Sequence, residues 1–160
     1  GATQPKLVTS ACVDRAVIDA LGESVIDNAV VFGVGDPTGT HQEAQVYRAV
    51  MQRYAPEAEP TGITTTGYVS MLGFIRAVNA VGLPDGDEVT GEQIIAALRA
   101  ARDVQRPLGN SSTFSCDHSQ LPTPLVKATI CTSEVLYATY TGGVPGRYNK
   151  IDVAPIFSSG

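Results

Sequence analysis

The stretch from Lys6 to Gly22 constrains this chain more than any other. KLVTS predicts a short buried strand, SACVD a sharp turn, and RAVIDALG a helix stopped by glycine. A strand that runs straight into the first turn of a helix leaves backbone N–H groups facing the crevice at the strand's carboxyl end. Open α/β sheets bind small ligands in that crevice. The unit begins at Lys6, with no βα units ahead of it to complete a sheet.

The 160 residues suffice for one domain with a real core, and 43% hydrophobic with 17% charged residues is a globular balance. A net charge of −5 and the lack of any long Lys/Arg run argue against a nucleic-acid surface. No apolar run approaches the roughly 18 residues of a membrane span. The chain opens without a charged segment, apolar core and cleavage site. It is therefore either cytosolic or lacks an N-terminal part that carried the signal, and the second is the expectation.

After the first unit, Asn28–Val34 predicts a second buried strand rich in β-branched residues. Thr40-His41-Gln42-Glu43 matches a capping box, with Thr40 as N-cap and Glu43 reaching back. The helix it opens runs to about Tyr54, with Val46, Tyr47, Val50, Met51 and Tyr54 on one face. A third helix carries Tyr68, Met71, Leu72, Ile75 and Val78 at three- and four-residue steps before Gly82 and Pro84. Thr90-Gly91-Glu92-Gln93 is a second capping box, for a helix through about Arg102 with Ile94, Ile95 and Leu98 buried. From Arg106 onward short β-like runs appear at Thr113–Cys116, Leu125–Cys131 and Val135–Thr141. Residues 142–160 read as an extended, weakly packed tail. The order β-α-β-α-α-α-β-β-β describes a lobe of an α/β domain whose last part is antiparallel or leaves the domain.

Cys116 and Cys131 each end a strand-like run, and their spacing is not a zinc pattern. The residues alone leave two readings open, a disulfide or two buried thiols. Cys12 stands at the start of the first helix, a place that makes it a candidate nucleophile. A cysteine-dependent hydrolase would need His41 or His118 as base, and no motif places an orienting group beside either. A structural cysteine is the simpler reading. Gly33–Gly39 (GVGDPTG) matches neither a dinucleotide fingerprint nor a P-loop. Asn110-Ser111-Ser112 fits the short glycosylation pattern. Asp85, Asp87 and Glu88 are too few oxygen ligands for calcium and read as a solvated loop.

Four stretches together resemble a known family: QPKLVTSACVDRAVIDALG, VVFGVGDPTGTHQEAQVYRAVMQRYAPE, TTTGYVSMLGFIRAVNAVG with TGEQIIAALRAARD, and PLGNSSTFSCD with LPTPLVKATICTSEVLYATYTGG. Their order and texture are similar to the C-terminal portion of a type 1 periplasmic binding protein, the branched-chain amino-acid type of ABC-transporter substrate-binding protein. The resemblance covers roughly residues 1–145 and is one of order rather than of a short motif. It implies an α/β fold, a Rossmann-like parallel sheet flanked by helices with late strands near the hinge. Residues 1–141 would form part of a C-terminal lobe and 142–160 the tail.

The resemblance further implies a Cys116–Cys131 disulfide, an extracytoplasmic location with a lipid anchor on the missing N-terminus as an option, and no cofactor or catalytic activity. The implied partners are a small polar solute, an ABC-transporter permease and the absent N-terminal lobe, and the sheet edge left bare would allow a homodimer. Thr9, Ser10, Ala11 and Cys12 would face the ligand cleft, and Ile63, before the threonines of the third helix, would add an apolar contact. In amino-acid-binding members an acid near this turn meets the ligand's ammonium. Ser10 or its neighbour holds that place here, so an amino-acid ligand lacks its usual partner. The alternative for this turn is plain capping by Ser10 or Asp14.

Overall fold

The computed structural model describes residues 4–83, 89–117, 119–120 and 130–158. The opening unit folds as β1 (Lys6–Thr9), a 3-10 turn over Ser10–Val13, and α1 (Arg15–Leu21). Asp14 caps α1, its side chain accepting from the Ala16 N–H at 3.0 Å. Gly22, at φ 85°, ends the helix and returns its N–H to Ile18. Only glycine adopts such a conformation without strain.

β1 is not the buried strand its composition suggests. Among the described residues it is the outer strand of the sheet, and Leu7 is 65% exposed. A strand with one neighbour and one packed face buries alternate residues at best, and here only Val8 reaches the core. β1 runs parallel to β2 (Ala29–Gly33), whose Ala29 and Val31 are fully buried. Every later pairing is antiparallel. β5 (Glu134–Thr141) lies on the other side of β2, from Val30↔Thr139 to Gly33↔Leu136. Residues 142–158 return to that sheet. Gly142 and Gly143, both at positive φ, turn the chain into β6 (Val144–Pro145), which pairs the end of β5. β7 (Asn149–Asp152) pairs its beginning, and α5 (Ala154–Ser158) follows. The expected tail is thus extended and its β7 side chains are exposed, yet its backbone is held in the sheet.

The remaining elements are α2 (Gln42–Tyr54), α3 (Ile63–Val81), α4 (Gly91–Ala100) and a two-strand ribbon of β3 (Val104–Gln105) and β4 (Thr113–Phe114). The Thr90 capping box forms as expected, with Thr90 Oγ1 and Gln93 Oε1 each accepting from the other's backbone N–H. The Thr40 box does not. His41 is the N-cap, its Nδ1 accepting from Ala44 N–H. Glu43 instead accepts from Leu108 N–H at 2.8 Å and pairs with Arg76 at 2.6 Å, tying α2 to α3 and to the loop after β3.

The buried faces differ from the hydrophobic stripes. On α2, Ala44 and Tyr47 are buried, whereas Val46 and Tyr54 are exposed. On α3 the buried residues are Thr65, Gly73, Ala77 and Val78, and Met71 is 63% exposed with Ile75 also in solvent. Small residues on that face pack against the β3–β4 segment, Ala77 lying with Val104. A Cβ on Gly73 would lie 3.7 Å from Pro107. α4 ends at Ala100 and buries Ala97, leaving Ile95 exposed and Ile94 and Leu98 partly covered.

Three core clusters result among the described residues. The first lies between the sheet and α1 and joins Ile18, Ile26, Val31 and Tyr140. The second packs Ala44, Tyr47 and Leu108, with Tyr68 tilted against Tyr47 at 4.7 Å between ring centres. The third joins Ala77, Ala101 and Val104. Cys116 and Cys131 are disulfide-bonded, as the resemblance implied. His118, the Asp85, Asp87 and Glu88 loop, and most of the expected Leu125–Cys131 strand lie outside the described residues.

Candidate functional site

The parallel pair β1 and β2 ends at Thr9 and Gly33, and the chain turns sharply at both ends. Ser10 is half-buried in a small crevice there, facing Gly35 and Pro37 after β2, Gly62 and Thr65 at the start of α3, and Tyr148. A Cβ on Gly62 would come within 3.3 Å of the Ser10 carbonyl oxygen, and Gly62 itself sits at φ 61°. Glycine at this place lets the two turns touch. The fold therefore brings together two of the expected elements, the Thr9–Cys12 turn and the start of α3.

Each expected residue has a definite place. Thr9 is the N-cap of the 3-10 turn but makes no cap bond, and its hydroxyl lies 3.8 Å from the Cys12 sulfur. Ala11 and Cys12 are exposed. Ile63 is the first residue of α3 and is 64% exposed. The capping role falls to Asp14 rather than Ser10. The N-cap of α3, Gly62, carries no side chain, and Thr65 and Thr66 bond back to the carbonyls of Pro60 and Gly62. Among the described residues, no side chain caps the first turn of this 19-residue helix.

Cys12 has no base at hydrogen-bond distance among the described residues; Thr9 is its polar neighbour. His41 has its Nδ1 on Ala44 N–H and its Nε2 facing Asp36 Oδ2 at 3.9 Å. That ring serves the start of α2, and among the described residues, which leave out His118, the geometry gives no thiol–imidazole pair.

A second, polar pocket of about 520 Å³ adjoins the crevice through Tyr148, lined by Asp36, His41, Asn110 and Arg147 among others. Asp36 is buried, and its Oδ1 accepts from Thr38 N–H, Thr38 Oγ1 and Gly39 N–H. A Cβ on Gly39 would meet Asp36 Oδ2 at 2.6 Å, so only glycine closes this turn. Tyr148 and Asp36 are not among the site residues expected from the sequence. Gly142-Gly143 between two β-like runs is a hairpin signal that would have returned Tyr148 to the sheet.

Burial, above all, pushes the Tyr148 phenol well above its ordinary range, with Tyr140 and Asp36 adding to the effect. Such a phenol keeps its proton better in the folded chain than in the unfolded one. The stability this gives is complete below about pH 10, the free phenol value, and is lost as pH rises beyond it. Tyr148→Phe should flatten that alkaline loss, measured by urea unfolding on either side of about pH 10. The same alkaline slope in variant and wild type would overturn the assignment.

The family model described as periplasmic binding protein matches residues 1–128. The chain belongs to the periplasmic binding protein family. Its fold is similar to that of the leucine-binding protein LivK of Thermotoga maritima, with a TM-score of 0.61 and 16% sequence identity. The match covers 95% of this chain and 38% of that one, so the chain spans well under half the length of this solved family fold. No curated protein matches the chain. The α/β architecture expected from the sequence is therefore that of a periplasmic binding protein, with a mixed sheet of one parallel pair.

Proposed function

We propose that this chain contributes one wall of the ligand cleft of an extracytoplasmic solute-binding protein that serves import through an ABC-transporter permease. The observation that carries the reading is the meeting of the Ser10 turn with the uncapped start of α3 at the carboxyl ends of β1 and β2. Hydroxyls and free helix N–H groups in a crevice suit a carboxylate or a similar polar group. Thr9, Ser10, Ala11, Cys12 and Ile63 are the proposed contacts. The solute is a small polar molecule, amino acids included. Ser10 brings no charge for an ammonium, and the carboxylate lining the adjoining pocket is Asp36. The opposite wall comes from polypeptide outside these residues. The edge of β1, unpaired among the described residues, is where a further strand, or a second copy, would add.

With one wall, polar contacts and enclosure are both incomplete. Titration with branched-chain amino acids and other small polar solutes should give affinity no tighter than about millimolar. Amide shifts should be confined to Thr9–Cys12 and Gly62–Thr66. Micromolar binding by this chain alone would sink the one-wall reading, and shifts confined to other residues would sink the site.

A further inference from the structure

The elements fall into two packing units. One is the sheet with α1, around the first core cluster; the other is α2, α3, α4 and the β3–β4 ribbon, around the second and third. The chain leaves the sheet unit after β2 and returns to it at β5. Both crossings pass one residue, Arg106, which is 8% exposed.

Regular pairing of β2 with β5 stops at Gly33↔Leu136. Just past that rung the strands part, and the partly buried carbonyls there would lack their ladder donors. Arg106 supplies them. Its two terminal nitrogens donate to Glu134 O at 2.8 Å and to Val34 O at 2.9 Å, one on each crossing. Its backbone is fixed in turn, with Arg106 N–H on Ser112 O and Gly109 N–H on Arg106 O. Burying a guanidinium is costly, and a lysine's single nitrogen cannot match the fork. Leu108 O accepts from Asp36 N–H beside it, and Lys150 Nζ donates to Ser112 Oγ, so the same loop holds the sheet unit at two further points.

We propose that Arg106 is a positioning residue that replaces the next rung of the β2–β5 ladder and thereby sets the angle between the two packing units. The crossings at Val34 and Glu134 are the pivot, and the guanidinium is its pin. Gly35 and Pro37, which line the crevice, follow directly from the pinned carbonyl of Val34. This inference does not depend on which solute is bound, or on whether one is.

The test is a spin-label distance measurement on the whole chain, with Cys12→Ser to remove the free thiol, Ala20→Cys on α1 and Gln52→Cys on α2. The unaltered Arg106 background should give one narrow distance distribution. Arg106→Met should broaden it about twofold, as expected of a freed hinge, while helical circular dichroism is retained. An unchanged width in folded Arg106→Met overturns the proposal. If that variant does not fold, Arg106→Lys decides. Broadening to an intermediate width supports the pin, and the original width overturns it.

Discussion

Removing the Cys116–Cys131 bridge should lower the free energy of unfolding by about 3 kcal/mol, the chain-entropy value for a loop of this size. The bridge joins residues 15 apart. Its two ends are also held by backbone bonds, Cys116 N–H to Ala101 O and Ser115 N–H to Cys131 O. The folded geometry should therefore survive the double change Cys116→Ser, Cys131→Ser, with most of the loss arising in the unfolded chain. Urea unfolding of the oxidised protein and the variant measures the difference, and reductant should bring the wild type down to the variant. A midpoint indifferent to reductant would show that the bridge contributes nothing.

Leu108→Ala should cost about 2–5 kcal/mol, the range for emptying a buried leucine site. Leu108 is fully buried against Ala44 and Tyr47, and Gly35 packs so closely that a Cβ there would lie 2.6 Å from its own Cβ. Its backbone is at φ 54°, a strained left-handed conformation that alanine would share. The substitution therefore removes side-chain packing without relieving the strain. The bonds from Leu108 N–H to Glu43 and from Asp36 N–H to Leu108 O should persist. Leu7→Ala on the exposed strand is the control, expected within about 0.5 kcal/mol of wild type. Comparable losses at Leu7 and Leu108 would contradict the packing described for both.

What could be read in advance follows the range of the interactions. The Lys6–Gly22 unit and the Thr90 capping box are legible because each is settled within a few residues, by Gly22 and Asp14 in one case and Gln93 in the other. Thr40–Glu43 carries the same local pattern and fails because Glu43 is claimed by Leu108 and Arg76, far along the chain. Periodicity on α3 finds an apolar stripe but does not weigh size. The closest neighbour takes the small residues Gly73 and Ala77 and leaves Met71 in solvent. β1 has the composition of an inner strand, and only the strand order shows it to be an outer one.

The candidate site was legible as two separate helix starts, at Ser10 and at Ile63. Their meeting depends on Gly62, whose role is visible only once the Ser10 carbonyl stands against it. Tyr148 enters through the return of residues 142–152 to the sheet, which Gly142-Gly143 signals locally and the pairing of β7 with β5 completes.

The exposed Cys12 has a consequence for the order in which this chain acquires its covalent bond. Three thiols permit three different single bridges. Pairing with Cys12 closes a loop about seven times longer than Cys116–Cys131, an entropic handicap of roughly 1.7 kcal/mol by loop-closure scaling. The unfolded chain thus favours the native pair about twentyfold over either rival before any tertiary contact forms. Once folded, Cys12 stands on the sheet unit, whereas the bridge is fastened beside Ala101 after α4. Thiol exchange needs the attacking sulfur at the bridge. Cys12 is therefore a rival for pairing only while the chain is open, and folding itself retires it.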